Sequence, residues 1–205
     1  MTDVIDPQTL EQAAARHIEA IVIGASAGGF GALLRVLAPL PANFPLPCAI
    51  VVHLPDQHDS RLAELFGYRI APRVREARDK ETIEPGTVYF APAGYHLLIE
   101  QDRNFALSGE ERVNYARPSI DVLMLSAADA YGPNLCGIVL TGANADGADG
   151  LAGIRIAGGL AVVQDPRDAE AETMPRAAIQ RAKPDLVLSL ADIATLLLAL
   201  GRPTS

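Results

Sequence analysis

A doubly wound α/β domain, with a mostly parallel sheet and helices on both faces, is what this sequence predicts. Three observations predict it. From residue 20 onward, apolar runs too short for helices alternate with amphipathic stretches. The runs are continuously apolar, as strands buried on both faces must be. The chain has 205 residues, 49% of them apolar, enough for a substantial core.

Taken in order, residues 1–19 read as an N-terminal extension or linker remnant. Asp6 caps a short helix there, with Pro7 in its first turn. The domain proper is expected over 20–201. It starts with a strand at AIVIG (20–24), a helix over 28–38, a strand at CAIVVH (48–53) and a helix around 60–67. TVYFAP (87–92) and YHLLIE (95–100), followed by DRN and FALS, suggest an antiparallel hairpin near one edge of the sheet, because apolar and polar residues alternate. Helical spacing recurs at 119–131, 148–157, 169–182 and 191–200, and further strands at CGIVLTG (136–142), LAVVQ (160–164) and DLVLSL (185–190). Ser189 and Asp192 form a capping pair for the last helix, which Gly201 ends.

Composition excludes several function classes. Seventeen Lys and Arg against 25 Asp and Glu give a net charge of -8, with no basic run, so neither nucleic acid nor an anionic membrane is the expected partner. Cys48 and Cys136 each adjoin an apolar run and read as small buried hydrophobes, making neither a disulfide framework nor a zinc pattern. No metal and no cofactor is expected. No apolar stretch reaches the length of a membrane span and no leader pattern opens the chain, which points to a cytoplasmic protein.

In doubly wound sheets, reacting groups gather at the carboxyl ends of strands. The first strand ends in Gly24-Ala25-Ser26-Ala27-Gly28, which has the G-x-S-x-G form of a nucleophile elbow; the same residues also fit a glycine-rich phosphate turn. Dinucleotide binding expects an acidic residue closing the second strand, and His53 stands there instead. A serine hydroxyl needs a base to take its proton, and imidazole titrates in the right range. His17, His58 and His96 are weaker candidates by position. The glycine-rich loop after CGIVL offers Asp146 and Asp149 as the carboxylate that would orient the imidazole, and the residues alone leave the two tied.

IVIGASAGG, VVHLP, VYFAPAGYH, ARPSIDVLM, GIVLTGANADG and the MPRAAI helix, in that order, resemble the catalytic domain of the bacterial chemotaxis-receptor methylesterases, the CheB family, over nearly all of 20–200. The resemblance implies a Ser26 nucleophile, a His53 general base and an Asp146 carboxylate, in that chain order, with backbone N–H groups of Ala27 and Ala143 as oxyanion donors. It implies hydrolysis of glutamate methyl esters, and deamidation of glutamines, on the cytoplasmic helices of methyl-accepting chemoreceptors. Four features depart from the family pattern. Ala27 replaces a frequent threonine and Ala143 a frequent methionine, Asn144-Ala145 replaces Gly-Asn, and Ala116 replaces a polar residue. The receiver domain that family members usually carry at their N-terminus is not part of this sequence, which leaves two expectations, control by a regulatory partner in trans or constitutive activity. Two other classes remain open: a non-catalytic binding module of the same fold, and a nucleotide-binding domain.

Overall fold

The computed structural model describes residues 5–53 and 61–202. Among them, nine strands follow one another: β1 (Ala20–Ala25), β2 (Cys48–Val52), β3 (Arg73–Glu76), β4 (Thr87–Phe90), β5 (His96–Ile99), β6 (Phe105–Ser108), β7 (Leu135–Val139), β8 (Leu160–Gln164) and β9 (Leu186–Leu188). Seven form one parallel sheet in the order β3-β4-β2-β1-β7-β8-β9, while β5 and β6 pair only with each other. The five innermost strands are buried at every position, which is why their sequences are apolar without interruption.

Within those uniform runs the period of two still sorts side chains between two cores. Ile21, Ile23 and Ala25 of β1 join the core under α1 (Pro7–Ala14), α2 (Gly29–Leu37), α3 (Leu62–Gly67) and α7 (Leu190–Leu200), with Leu33, Phe66 and Leu197. Ala20 and Val22 point the other way, to the core beneath α4 (Ile120–Tyr131), α5 (Ala148–Ile156) and α6 (Thr173–Ala182), with Met124, Leu151 and Met174. The hairpin adds Leu97, Ile99 and Phe105 to this second core, where Phe105 meets Tyr89 edge-on at 4.9 Å between ring centroids.

Two local expectations are corrected. Thr87–Phe90 does not open the hairpin; it pairs in parallel with β2 and β3, and the hairpin begins only at His96, as a separate two-stranded sheet packed on α4 near the β3–β4 edge. The edge strand β3, Arg-Val-Arg-Glu, carries charge at three of four positions, the composition of a strand with one side in water, and gave no apolar signal. The sixth helix also starts at Thr173 rather than 169, because residues 165–172 form a loop.

Cys48 and Cys136 lie on either side of Ile21 in the ladder, both fully buried. Burial pushes the Cys48 thiol up to about 12 and that of Cys136 higher still, so neither supplies a thiolate. Asp6 caps α1 by accepting from the Thr9 N–H at 2.9 Å. The helix is docked on α7: Ile5 donates its N–H to the Asp192 carboxylate at 3.2 Å, and the other oxygen of that carboxylate accepts from the Ser189 hydroxyl at 2.6 Å. Asp192→Ala therefore leaves the Ile5 N–H without its acceptor and weakens the α7 cap. We expect a loss of roughly 1–3 kcal/mol, read by urea unfolding, and faster amide exchange in α1 than in β1 or β7.

Candidate active site

The loops after β1 and β7 meet at the place where the sheet changes direction. β1 leads through α2 to β2 on one side, whereas its other neighbour β7 leads through α5 to β8 on the opposite side. Connections that leave adjacent strands in opposite directions open a crevice at their carboxyl ends. Both helices leaving this crevice start from a left-handed glycine, Gly28 at φ 75° and Gly147 at φ 92°, a conformation that side chains oppose. A Cβ on Gly147 would also come within 2.7 Å of Ile120.

Ser26 occupies the turn out of β1. Its N–H donates to the Thr141 carbonyl at 2.9 Å and its carbonyl accepts from Gly29 at 2.8 Å, a tight bend that leaves the residue half-buried. Register brings His53 alongside: Ala25 is opposite Val52, and His53 continues the ladder by donating its N–H to the Ala25 carbonyl at 3.0 Å. Strands so paired are about 4.8 Å apart, so Ser26 and His53 leave the sheet as neighbours.

Asp146 comes to the same histidine from the β7 loop. Its Oδ2 lies 2.8 Å from His53 Nε2, and the carboxylate is wholly shielded from solvent. The start of α4 holds it there. Oδ2 accepts from the Ile120 N–H at 2.7 Å, and Oδ1 accepts from the Ser119 hydroxyl at 2.8 Å, the Asp121 N–H at 3.1 Å and the Asn114 amide at 3.3 Å. Burial works to raise this carboxyl's pKa, but the hydrogen bonds from His53, Ile120, Ser119 and Asp121 prevail and hold it at about 2. A carboxylate that stays ionised can only accept, so Nε2 of His53 carries the hydrogen and Nδ1 carries the lone pair.

The two aspartates point in different directions. Asp149, in the first turn of α5, is exposed and pairs with Arg181, whereas Asp146 turns inward. Of the other histidines, His96 is buried, with Nε2 2.9 Å from the Glu111 carbonyl and Nδ1 accepting from the Ser119 N–H; His17 is exposed beside Glu19, and His58 lies outside the described residues. The N–H groups of Ala27 and Ala143 donate no hydrogen bond among the described residues, and both residues are exposed at the crevice.

Sequence reasoning missed the residues that hold these loops in place. Thr141 links three of them: its hydroxyl donates to the Ala27 carbonyl at 2.9 Å and accepts from the Ala171 N–H at 2.8 Å, while its own N–H reaches the buried Gln164 side chain at 2.8 Å. Asn114 bridges Asp146 and Asp121, donating to the latter at 2.7 Å. A polar residue closing a buried strand, as Thr141 and Gln164 do, was the available signal. Asn144 was visible only as a departure; its amide nitrogen lies 3.3 Å from His53 Nδ1.

The model of the CheB methylesterase family matches residues 21–197. The chain belongs to the CheB methylesterase family. The crystal structure of the Thermotoga maritima CheB methylesterase catalytic domain superposes with a TM-score of 0.84 at 31% identity, covering 89% of this chain and 98% of that one. A Leptospira interrogans protein, provisionally named a protein-glutamate methylesterase/protein-glutamine glutaminase, is 50% identical over 91% of this chain and 96% of its own length. Protein-glutamate methylesterase FrzG of Myxococcus xanthus is 38% identical over 87% of this chain, which spans 53% of that relative. The CheB fold accounts for the seven-stranded parallel sheet and the separate hairpin together. None of the helices among the described residues is long and apolar enough to cross a membrane.

Asp121 and Asp146 make opposite contributions to the pH dependence of stability. Burial, with Asp146 and Asp149 nearby, pushes the Asp121 carboxyl up from 3.8 to about 6, against the Gly150 N–H that favours its charged form. The folded state therefore keeps a proton that the unfolded chain has released, and this group's contribution to stability falls as pH rises from about 4 to 6. Asp146, with its folded pKa lowered, contributes stability that is present above its ordinary value of 3.8 and lost as pH falls toward 2. Replacing Asp121 by Asn removes the first effect: relative to wild type, Asp121→Asn should gain stability between about pH 4 and neutrality, measured by urea unfolding at both ends of the window.

Proposed function

We propose that this chain is a serine hydrolase that demethylates glutamate γ-methyl esters, and deamidates glutamines, on the cytoplasmic helices of methyl-accepting chemoreceptors. One observation carries the mechanism: His53, next to Ser26 by strand register, has its Nε2 2.8 Å from a fully buried carboxylate, which leaves Nδ1 as the proton acceptor toward the crevice.

Ser26 Oγ attacks the ester carbonyl carbon while its proton passes to His53 Nδ1. The carbonyl oxygen becomes an oxyanion and accepts from the N–H groups of Ala27 and Ala143, with the positive end of the α2 dipole adding to their field. As the intermediate collapses, the bond to the methoxy oxygen breaks, His53 returns the proton to that oxygen and methanol leaves. Water then attacks the acyl-enzyme, giving its proton to Nδ1; the carbon–Oγ bond breaks, Ser26 recovers its proton, and the glutamate carboxylate is released. With glutamine the leaving group is ammonia. Asp146 stays ionised throughout and stabilises the imidazolium formed in each half-reaction, a role matched to its low pKa.

Ala27 and Ala143 each present a backbone donor with a methyl side chain, so the oxyanion site depends on main-chain geometry alone. The reading includes control in trans by a partner protein. Methanol release from methylated chemoreceptor fragments tests it. Wild type should release methanol, and Ser26→Ala should lower the rate by roughly 10³-fold or more with the thermal melt unchanged. Silence from both proteins, with fragment binding retained, would make the chain a binding module instead.

A further inference from the structure

The lone pair on His53 Nδ1 is already engaged in this structure. Asn144 Nδ2 lies 3.3 Å from it, while Ser26 Oγ has no hydrogen-bond partner among the described residues. The orientation of the Asn144 amide follows from its other end: Oδ1 accepts the Asp146 N–H at 3.1 Å, so the NH₂ group faces the imidazole. The histidine tautomer follows from Asp146, which compels Nε2 to donate. Each neighbour thus fixes the next, and the contact is an amide N–H donating to the one ring nitrogen that can take a proton.

We propose that Asn144 is a positioning residue that restrains the base, holding His53 Nδ1 in a resting contact that Ser26 must displace before it can be deprotonated. The proposal rests on the roles given above to Ser26, His53 and Asp146. An in-plane imidazole lone pair accepts one good hydrogen bond, so the Asn144 amide and the Ser26 hydroxyl exclude each other. At rest the amide holds the position and the serine is not activated. When a carbonyl group enters the crevice and draws Ser26 toward it, the hydroxyl replaces the amide on Nδ1. The restraint acts before the chemical step, on the free enzyme, and therefore slows any electrophile that needs an activated Ser26.

A fluorophosphonate probe measures this directly, without a receptor. The Ser26 Oγ–phosphorus bond forms, the phosphorus–fluorine bond breaks, fluoride leaves, and the serine proton passes to His53. Asn144→Gly and Asn144→Ala both delete the amide, and the alanine variant does so without loosening the backbone. Each should raise the second-order labelling rate about three- to tenfold, the worth of one neutral hydrogen bond. In ¹⁵N NMR of histidine-labelled protein, with His53 assigned by the signal lost in His53→Gln, Nδ1 should move toward the position of a free acceptor nitrogen in both variants. Labelling that is unchanged or slower in Asn144→Ala, with a wild-type melt, overturns the restraint and leaves the Ser26 reading intact. An unmoved Nδ1 signal overturns it irrespective of rate. Failure of Ser26 to label in any variant, wild type included, overturns the nucleophile assignment and this inference with it.

Discussion

A carboxylate removed from water must be held by donors, and Asp146 is held by five: the His53 ring, two backbone N–H groups at the start of α4, the Ser119 hydroxyl and the Asn114 amide. Without them the charge would take up a proton, and an uncharged Asp146 could neither set the tautomer of His53 nor stabilise an imidazolium. The fold is arranged around delivering those donors. α4, 12 residues long, runs across the sheet with Ile120, Leu123 and Met124 buried against it, and the apolar face fixes where the helix starts. Ser119 serves twice, as the cap accepting from Val122 and as a donor to Asp146. Asp121, the next acid along, occupies the flank of the same site and feels the cost of it.

Precision at the other two positions comes from the sheet. Parallel ladders between β1, β2 and β7 leave no freedom of register, since a slip of one residue would exchange the contents of the two cores. Ser26 and His53 are each the first residue past a strand whose every side chain is packed, and the 141–147 loop begins two residues past another. The hydroxyl of Thr141 and the amide of Gln164 then tie the serine turn, the β7 loop and the 165–172 segment into one unit. At residue 27 the tie is made by the backbone carbonyl, so it does not depend on the side chain there.

Much of this was legible beforehand, for physical reasons that also mark where legibility ended. Strands buried on both faces cannot hide in a sequence, so β1, β2, β7 and β8 could be read from apolarity alone, and with them the places where Ser26 and His53 leave the sheet. β3 could not, because an edge strand with alternate charges has the composition of a loop. Apolarity does not say which partner a strand takes, so Thr87–Phe90 reads in sequence like part of the hairpin. Asp146 and Asp149 differ by three positions in a run of small residues, and no local property separates them; what sets them apart is the start of α4, 25 to 27 residues before Asp146, whose donors meet one carboxylate while Arg181 pairs with the other. Asn114, in the left-handed region at φ 50°, is a tertiary contact of the same kind.

On the proposed catalytic roles, the reliance of Asp146 on α4 would act as a safeguard during synthesis and folding. Ser26 and His53 belong to the segment that emerges first, and until Asp146 meets the imidazole the serine lacks the activation proposed for it. Asp146 emerges later, and it is held against the imidazole, ionised though buried, only where the start of α4 has closed over it. On the roles proposed for Ser26, His53 and Asp146, hydrolytic competence would be a property of the finished domain, arriving together with the second core.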